Sequence, residues 1–236
     1  MPTLYFAGAN RNHYLRAMSV GAYLLESFAD KSCRKFVANF RHKFWALDCG
    51  AFSVYTKTQG KQIDLIEYRD YIQSWSGWEW YLSVDVIGGT EKENMQNYST
   101  LVNYGLSPVP VFHENEDFSL LKEYVQSSSR PALGAIPPRI DKTVIPFLRK
   151  SFEVIQSEGR GTKVHGLAMV KYGYFPFESV DSRTWAPATH QLPHPFVYAN
   201  LNDRIALYEK GVRAKWKTIN KGKKIKENTS QLSFPF

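Results

Sequence analysis

Short apolar runs alternate along the chain with longer stretches in which apolar residues recur every three or four positions. The short runs are Leu4 to Ala7, Phe44 to Leu47, Tyr81 to Ile87, Val109 to Phe112, Ala132 to Ile136, Lys163 to Met169 and Ser179 to Val180. Their lengths and flanking turn residues predict buried strands. The longer stretches predict helices. Tyr14 to Phe28 carries Leu15, Met18, Ala22 and Leu25 at helical spacing, and Asp64 to Trp75 carries Leu65, Tyr68, Ile72 and Trp75. Glu91 to Tyr104, Asp117 to Val125 and Lys142 to Ile155 follow, with a last helix over Leu201 to Trp216. Capping chemistry agrees with these limits. Thr90 precedes Glu91 and Glu93, Asp141 precedes the run to Ile155, and Gly105 and Gly159 stand just past helix ends.

Strands that are each followed by a helix or turn predict a parallel α/β architecture. A compact (β/α)8 TIM-like barrel is the leading expectation, although such barrels usually run to about 250 residues. An open doubly wound sheet is the alternative. Neither a GxGxxG nor a GxxxxGK[ST] phosphate loop occurs, which argues against a nucleotide-binding version. Residues 1–209 read as one barrel domain and residues 210–236 as a basic C-terminal segment.

Composition narrows the class. With 43% hydrophobic and 22% charged residues, the chain can bury a sizeable core and is not disordered. No run approaches the roughly 18 apolar residues of a membrane-spanning helix, and the N-terminus lacks a secretory signal. A cytoplasmic protein is expected. Cys33 and Cys49 are too few for a disulfide framework or a four-cysteine zinc site. The net charge of +8 equals the excess carried by Lys210, Arg213, Lys215, Lys217, Lys221, Lys223, Lys224 and Lys226, a stretch with no acid. Together with Trp216, that stretch suits a nucleic-acid backbone, because neutralised phosphates release counterions. A solvated tail is the alternative reading.

In such barrels, reactive groups stand at the C-terminal ends of strands. Asp48, Asp85 and Asp181 each end a predicted strand directly after apolar residues, and His113 and His165 occupy comparable positions. An ionised carboxylate there is costly without a partner or a task. A single strand-end Asp commonly caps a helix or turn, but three at equivalent positions point to chemistry. Two carboxyl groups across a sugar would suit glycosidic-bond chemistry. A mixed carboxylate–imidazole metal site is the competitor, though no HxH or HExxH pair supports it, and neither metal nor cofactor is expected. Cys49 as a nucleophile beside His113 lacks any motif.

These strand ends resemble the tRNA-guanine transglycosylase superfamily, and within it the phage and bacterial branch that installs 7-deazaguanines in DNA. The likeness rests on Leu47-Asp48-Cys49-Gly50-Ala51-Phe52-Ser53, Asp85-Val86-Ile87-Gly88, Pro108 to His113 with Glu116 and Asp117, Ala132-Leu133-Gly134, Val164-His165-Gly166-Leu167, and Tyr174 to Trp185. The resemblance implies a barrel, here without the zinc subdomain, with Asp181 as nucleophile and Asp48 as general acid/base. It implies that Asp85, His113 and Gly134 surround a base, with Phe52 or Phe112 stacked on it. His165 is a further expected base-binding position, and the loop Glu114-Asn115-Glu116 adds acids that could recognise a different base. The expected partners are DNA and a free nucleobase, with no membrane. Base exchange, guanine for a 7-deazaguanine, is the first functional expectation. Ala135 and Ala168 stand where relatives carry glycine, and this supports a second reading, a DNA glycosylase that leaves an abasic site. A non-catalytic nucleic-acid-binding barrel is the third.

Overall fold

The computed structural model describes residues 1–8, 18, 21–31, 34, 44–128, 130–135, 140–158, 161–183 and 209–220. The elements in order are β1 (Thr3–Ala7), β2 (Tyr23–Ser27), β3 (Trp45–Asp48), α1 (Ala51–Lys57), α2 (Leu65–Gln73), β4 (Trp80–Tyr81), α3 (Glu91–Asn103), β5 (Val111–His113), α4 (Phe118–Ser127), β6 (Ala132–Gly134), α5 (Asp141–Glu158), β7 (His165–Leu167) and β8 (Ser179–Ser182). A 3-10 turn at Val170–Tyr172 lies between β7 and β8, and residues 209–220 are helical.

Eight parallel strands form one sheet in the order β4-β3-β2-β1-β8-β7-β6-β5. Its two edges meet. Leu82 bridges Val109 in parallel, Val109 N donates to Tyr81 O at 2.7 Å, and Ser83 N donates to Val109 O at 2.7 Å. The sheet is therefore curled shut, and the fold is the (β/α)8 barrel expected from the alternating pattern.

The strand period of two sorts the core into two layers. In β1, Leu4 and Phe6 belong to the layer beneath the helices with Leu121, Leu148 and Phe152, whereas Tyr5 and Ala7 join Leu25, Ala46, Trp80 and Val111 inside the barrel. The interior is polar below its centre as well. Tyr5 OH donates to Glu79 at 2.7 Å, and Trp80 Nε1 donates to Tyr5 OH at 3.0 Å.

One prediction is corrected. The expected helix from Tyr14 to Phe28 does not cover Tyr23–Ser27, which is β2, paired to both β1 and β3. Leu24 and Leu25 are both buried, one on each face of the sheet, so an unbroken apolar pair there satisfies a strand as well as a helix. The other helix starts behave as their caps predict. Thr90 and Glu93 form a capping box, Asp64 accepts from Ile66 N and Glu67 N, and Asp117 accepts from Ser119 N. Asp141 does something else. Its carboxylate receives Lys171 Nζ at 2.6 Å and Tyr172 OH at 2.8 Å, tying α5 to the segment after β7. Gly159 and Cys33 lie outside the described residues.

Candidate active site

A cavity of about 1420 Å³ opens at the C-terminal ends of the strands, and Asp48, Asp85, His113, Gly134 and Asp181 all line it. The structure thus brings together the carboxyl groups from β3, β8 and the segment after β4, with the imidazole from β5.

Asp48 is the last residue of β3 and is half-buried. Its Oδ1 accepts from Gly50 N at 2.9 Å in a tight turn that starts α1. Gly50 has φ 75°, and a Cβ there would collide with Ser27 Oγ and the Ala29 methyl. Only glycine therefore permits this turn. Burial pushes the Asp48 carboxyl up. The Gly50 N–H opposes that, the negative charges of Asp181 and Asp85 add to it, and the result is about 6. The neighbouring Cys49 thiol is buried, and burial together with Asp48 and Asp85 pushes it well above its ordinary value. It is no nucleophile in this state.

His113 stands between two carboxyl groups. Its Nε2 lies 3.5 Å from Asp85 Oδ2 and its Nδ1 3.5 Å from Glu116 Oε2. Burial alone would lower the imidazole, but hydrogen bonds and charge from Asp85 and Glu116 outweigh it and push His113 up to about 10. It is a cation at neutral pH. Burial would raise Glu116, yet His113, its own N–H and Asn94 hold that carboxyl below its ordinary value. Glu116 accepts from His113 N at 2.6 Å and from Asn94 Nδ2 at 2.9 Å, and Asn94 Oδ1 accepts from Val86 N at 2.7 Å. The ring Asp85–His113–Glu116–Asn94–Val86 locks the loop after β4 to the loop after β5. Gly134 lies beside it, where a Cβ would come within 3.1 Å of His113 Cδ2.

Asp181, 5% exposed, accepts from Ala168 N through Oδ1 at 2.5 Å. Ala168 is held at φ 51°, a left-handed conformation that an alanine seldom adopts, so the backbone is strained where it aims this N–H. His165 lies beneath, fully buried, with Nδ1 at 2.9 Å from Ser179 Oγ and Nε2 at 3.4 Å from Asp181 Oδ1. The rings of Tyr5 and Trp80 pack on it.

Other expected positions separate. Phe52, 49% exposed, lines the cavity. Phe112 is fully buried in the outer layer against Phe118 and Phe147, because it alternates with His113 along β5, and it offers no face to the cavity. The residues lining the cavity include Asn115 and Glu116 but not Glu114. Lys210, Lys215 and Lys217 are exposed on the helical residues 209–220, where Arg213 pairs with Glu209. Lys221, Lys223, Lys224 and Lys226 lie outside the described residues. Trp216 is buried in the core and donates from Nε1 to Val170 O at 2.7 Å. Glu116 was expected only as a loop acid facing a base, and Asn94 and Arg183 were missed as site residues. The pairing of Glu116 with His113 is signalled by their three-residue spacing, and Arg183 by its place two residues after Asp181. Asn94 carries no such signal, since only the fold brings α3 to the loop after β5. Among the described residues, no group of three or more His, Cys, Asp or Glu side chains is arranged to hold a metal ion.

No family model matches the chain, and no curated protein matches it. Solved structures do. A protein of Aquifex aeolicus VF5 covers 92% of this chain and 92% of its own at 11% identity, with a TM-score of 0.57. The tryptophan synthase α subunit of Campylobacter jejuni covers 85% of this chain and 94% of its own at 10% identity, with a TM-score of 0.53. A variant of the Pyrococcus furiosus α subunit covers 86% and 95% at 12% identity, with a TM-score of 0.52. At such identities the likeness is one of fold.

The tryptophan synthase α subunits among these neighbours overturn the tRNA-guanine transglycosylase resemblance, for they are barrels of a different family. DNA base exchange, DNA base excision, N-glycosidic-bond chemistry, the nucleic-acid-binding barrel and the DNA and nucleobase partners are corrected with it. The physical reason is that strand-end acids mark where any such barrel places its chemistry, not which substrate it takes. Trp216, read as part of a nucleic-acid surface, fills the core instead. No helix among the described residues is long and apolar enough to cross a membrane.

Proposed function

We propose that the chain is an acid–base enzyme of the isomerase or lyase type, acting on a small polar substrate in the barrel mouth. The observation that carries the reading is the convergence of Asp48, Asp85 and Asp181 in one cavity, with Asp48 poised at about 6. A group with that value is mostly ionised at neutral pH and still within reach of protonation, as proton transfer in both directions requires. Asp48 takes a proton from the substrate and returns it at a neighbouring atom. Asp181 has Oδ1 occupied by Ala168 N–H and turns Oδ2 to a substrate N–H or O–H. Asp85, steadied by the imidazolium of His113, is a second fixed acceptor. Phe52 and Tyr55 from α1 supply the apolar wall.

The test needs no prior substrate. The protein is incubated in D2O with pools of small phosphorylated and carboxylated metabolites, and deuterium wash-in is read by mass spectrometry. The expected result is catalysed wash-in on at least one compound, falling as pH drops below 6 and abolished by Asp48→Asn. Wash-in that survives Asp48→Asn, or none on any compound, would overturn the reading.

A further inference from the structure

The charged groups of the cavity divide into two sets. Five of its six acids are engaged by named protein groups: Asp48 by Gly50 N, Asp85 by His113, Glu116 by His113 N and Asn94, Asp181 by Ala168 N, and Glu91 by Asp117 N, with Asp30 the sixth on the cavity wall. The basic side chains that line the same cavity, Lys31, Lys57, Lys92 and Arg183, have no ion pair with any described residue. An incoming ligand therefore meets carboxyl groups most of which have donors already on them, and cations that form no ion pair among the described residues.

Arg183 is the one that the fold positions. It follows β8 directly, at a bend two residues beyond Asp181, and lines the same cavity as that carboxyl group. Its stem lies across Gly8, just past the end of β1. A Cβ on Gly8 would collide with Arg183 Nε and come within 3.1 Å of its Cγ and Cδ. Gly8 also has φ 66°, which disfavours any other residue. The glycine thus provides a flat seat on which the arginine rests over the cavity mouth. A guanidinium so placed presents its fork to an oxyanion with little rotamer freedom left to lose.

From this we propose that Arg183, seated on Gly8, binds an oxyanion of the substrate, a phosphate or carboxylate group. The oxyanion stands on the Arg183 side of the cavity, apart from the atom that Asp181 and Asp48 address. The substrate class is a small molecule with an anionic end at the mouth and hydrogen-bond donors at the floor. Lys31, Lys57 and Lys92 carry further positive charge on the cavity wall, while Arg183 fixes the geometry of the anion. The inference names a substrate class for the site proposed above and rests on that reading for the identity of the reacting end only.

The experiment is titration calorimetry of the full chain with inorganic phosphate, and separately with malonate, at constant chloride. Saturable binding of one or both is expected, and the tighter of the two names the oxyanion. Arg183→Gln, a change at an exposed side chain, should weaken binding at least tenfold. Gly8→Val, which unseats the arginine, should weaken it similarly, with circular dichroism confirming the fold. Lys217→Gln, at an exposed side chain that does not line the cavity, should change it less than twofold. No saturable binding of either anion, or binding undiminished by Arg183→Gln, would overturn the proposal. Because binding is read without turnover, anion binding through Arg183 with no deuterium wash-in would sink the acid–base reading and keep this one. Wash-in with no dependence on Arg183 would do the reverse.

Discussion

Asp48 is held by its surroundings at an energetic cost. Its carboxyl sits at about 6 in the folded protein against an ordinary 3.8. A carboxyl raised on folding binds its proton more tightly in the native state. Its contribution is therefore favourable below about pH 4, fades as pH rises to 6, and is lost above that, where the ionised form is penalised. Asp48→Asn is predicted to stabilise the protein at pH 7 to 8 by on the order of 1–3 kcal/mol and to do nothing below pH 4. Urea unfolding across that pH range checks it. A strand-end Asp after apolar residues is visible in sequence, which is why Asp48, Asp85 and Asp181 were legible. Phe112 and Glu114 were misplaced for a related reason: flanking a residue on a strand does not mean sharing its face, and His113 alone of the three lines the cavity.

Among the elements, the helical residues 209–220 illustrate how a charge run conceals packing. Lys210, Lys215 and Lys217 face solvent while Trp216, 1% exposed, enters the core beside Val170. Trp216→Ala is predicted to lower stability by about 3–5 kcal/mol in denaturant unfolding, and Lys217→Ala by less than about 0.5 kcal/mol. Equal small effects would mean that the segment is not part of the barrel's folding unit. Elements with caps were legible to within a few residues, because Thr90, Asp64 and Asp117 terminate their helices by local hydrogen bonds. β2 was not legible. Its apolar residues satisfy both periods over so short a run, and only pairing to β1 and β3 decides between them. α1 was likewise passed over, since its start depends on the left-handed Gly50 and on the carboxylate of Asp48 rather than on a side-chain cap.

At the scale of the whole molecule, barrel closure turns three separate strand ends into one site. Asp48, Asp85 and Asp181 come from β3, from the segment after β4 and from β8, yet each of the latter two raises the carboxyl of the first through space. That coupling exists only if the sheet curls shut, which the Leu82–Val109 bridge accomplishes. Sequence pattern foretold the curl and the acids, but not the substrate, because every barrel of this kind gathers its strand ends in the same place. The most direct measurement is a carbon-13 NMR titration of the Asp48 carboxyl in the full chain and in Asp181→Asn. A midpoint near 6 that moves down when Asp181 is neutralised is the predicted result. A midpoint near 4, unmoved by Asp181→Asn, would contradict a shared acid–base site in the barrel mouth.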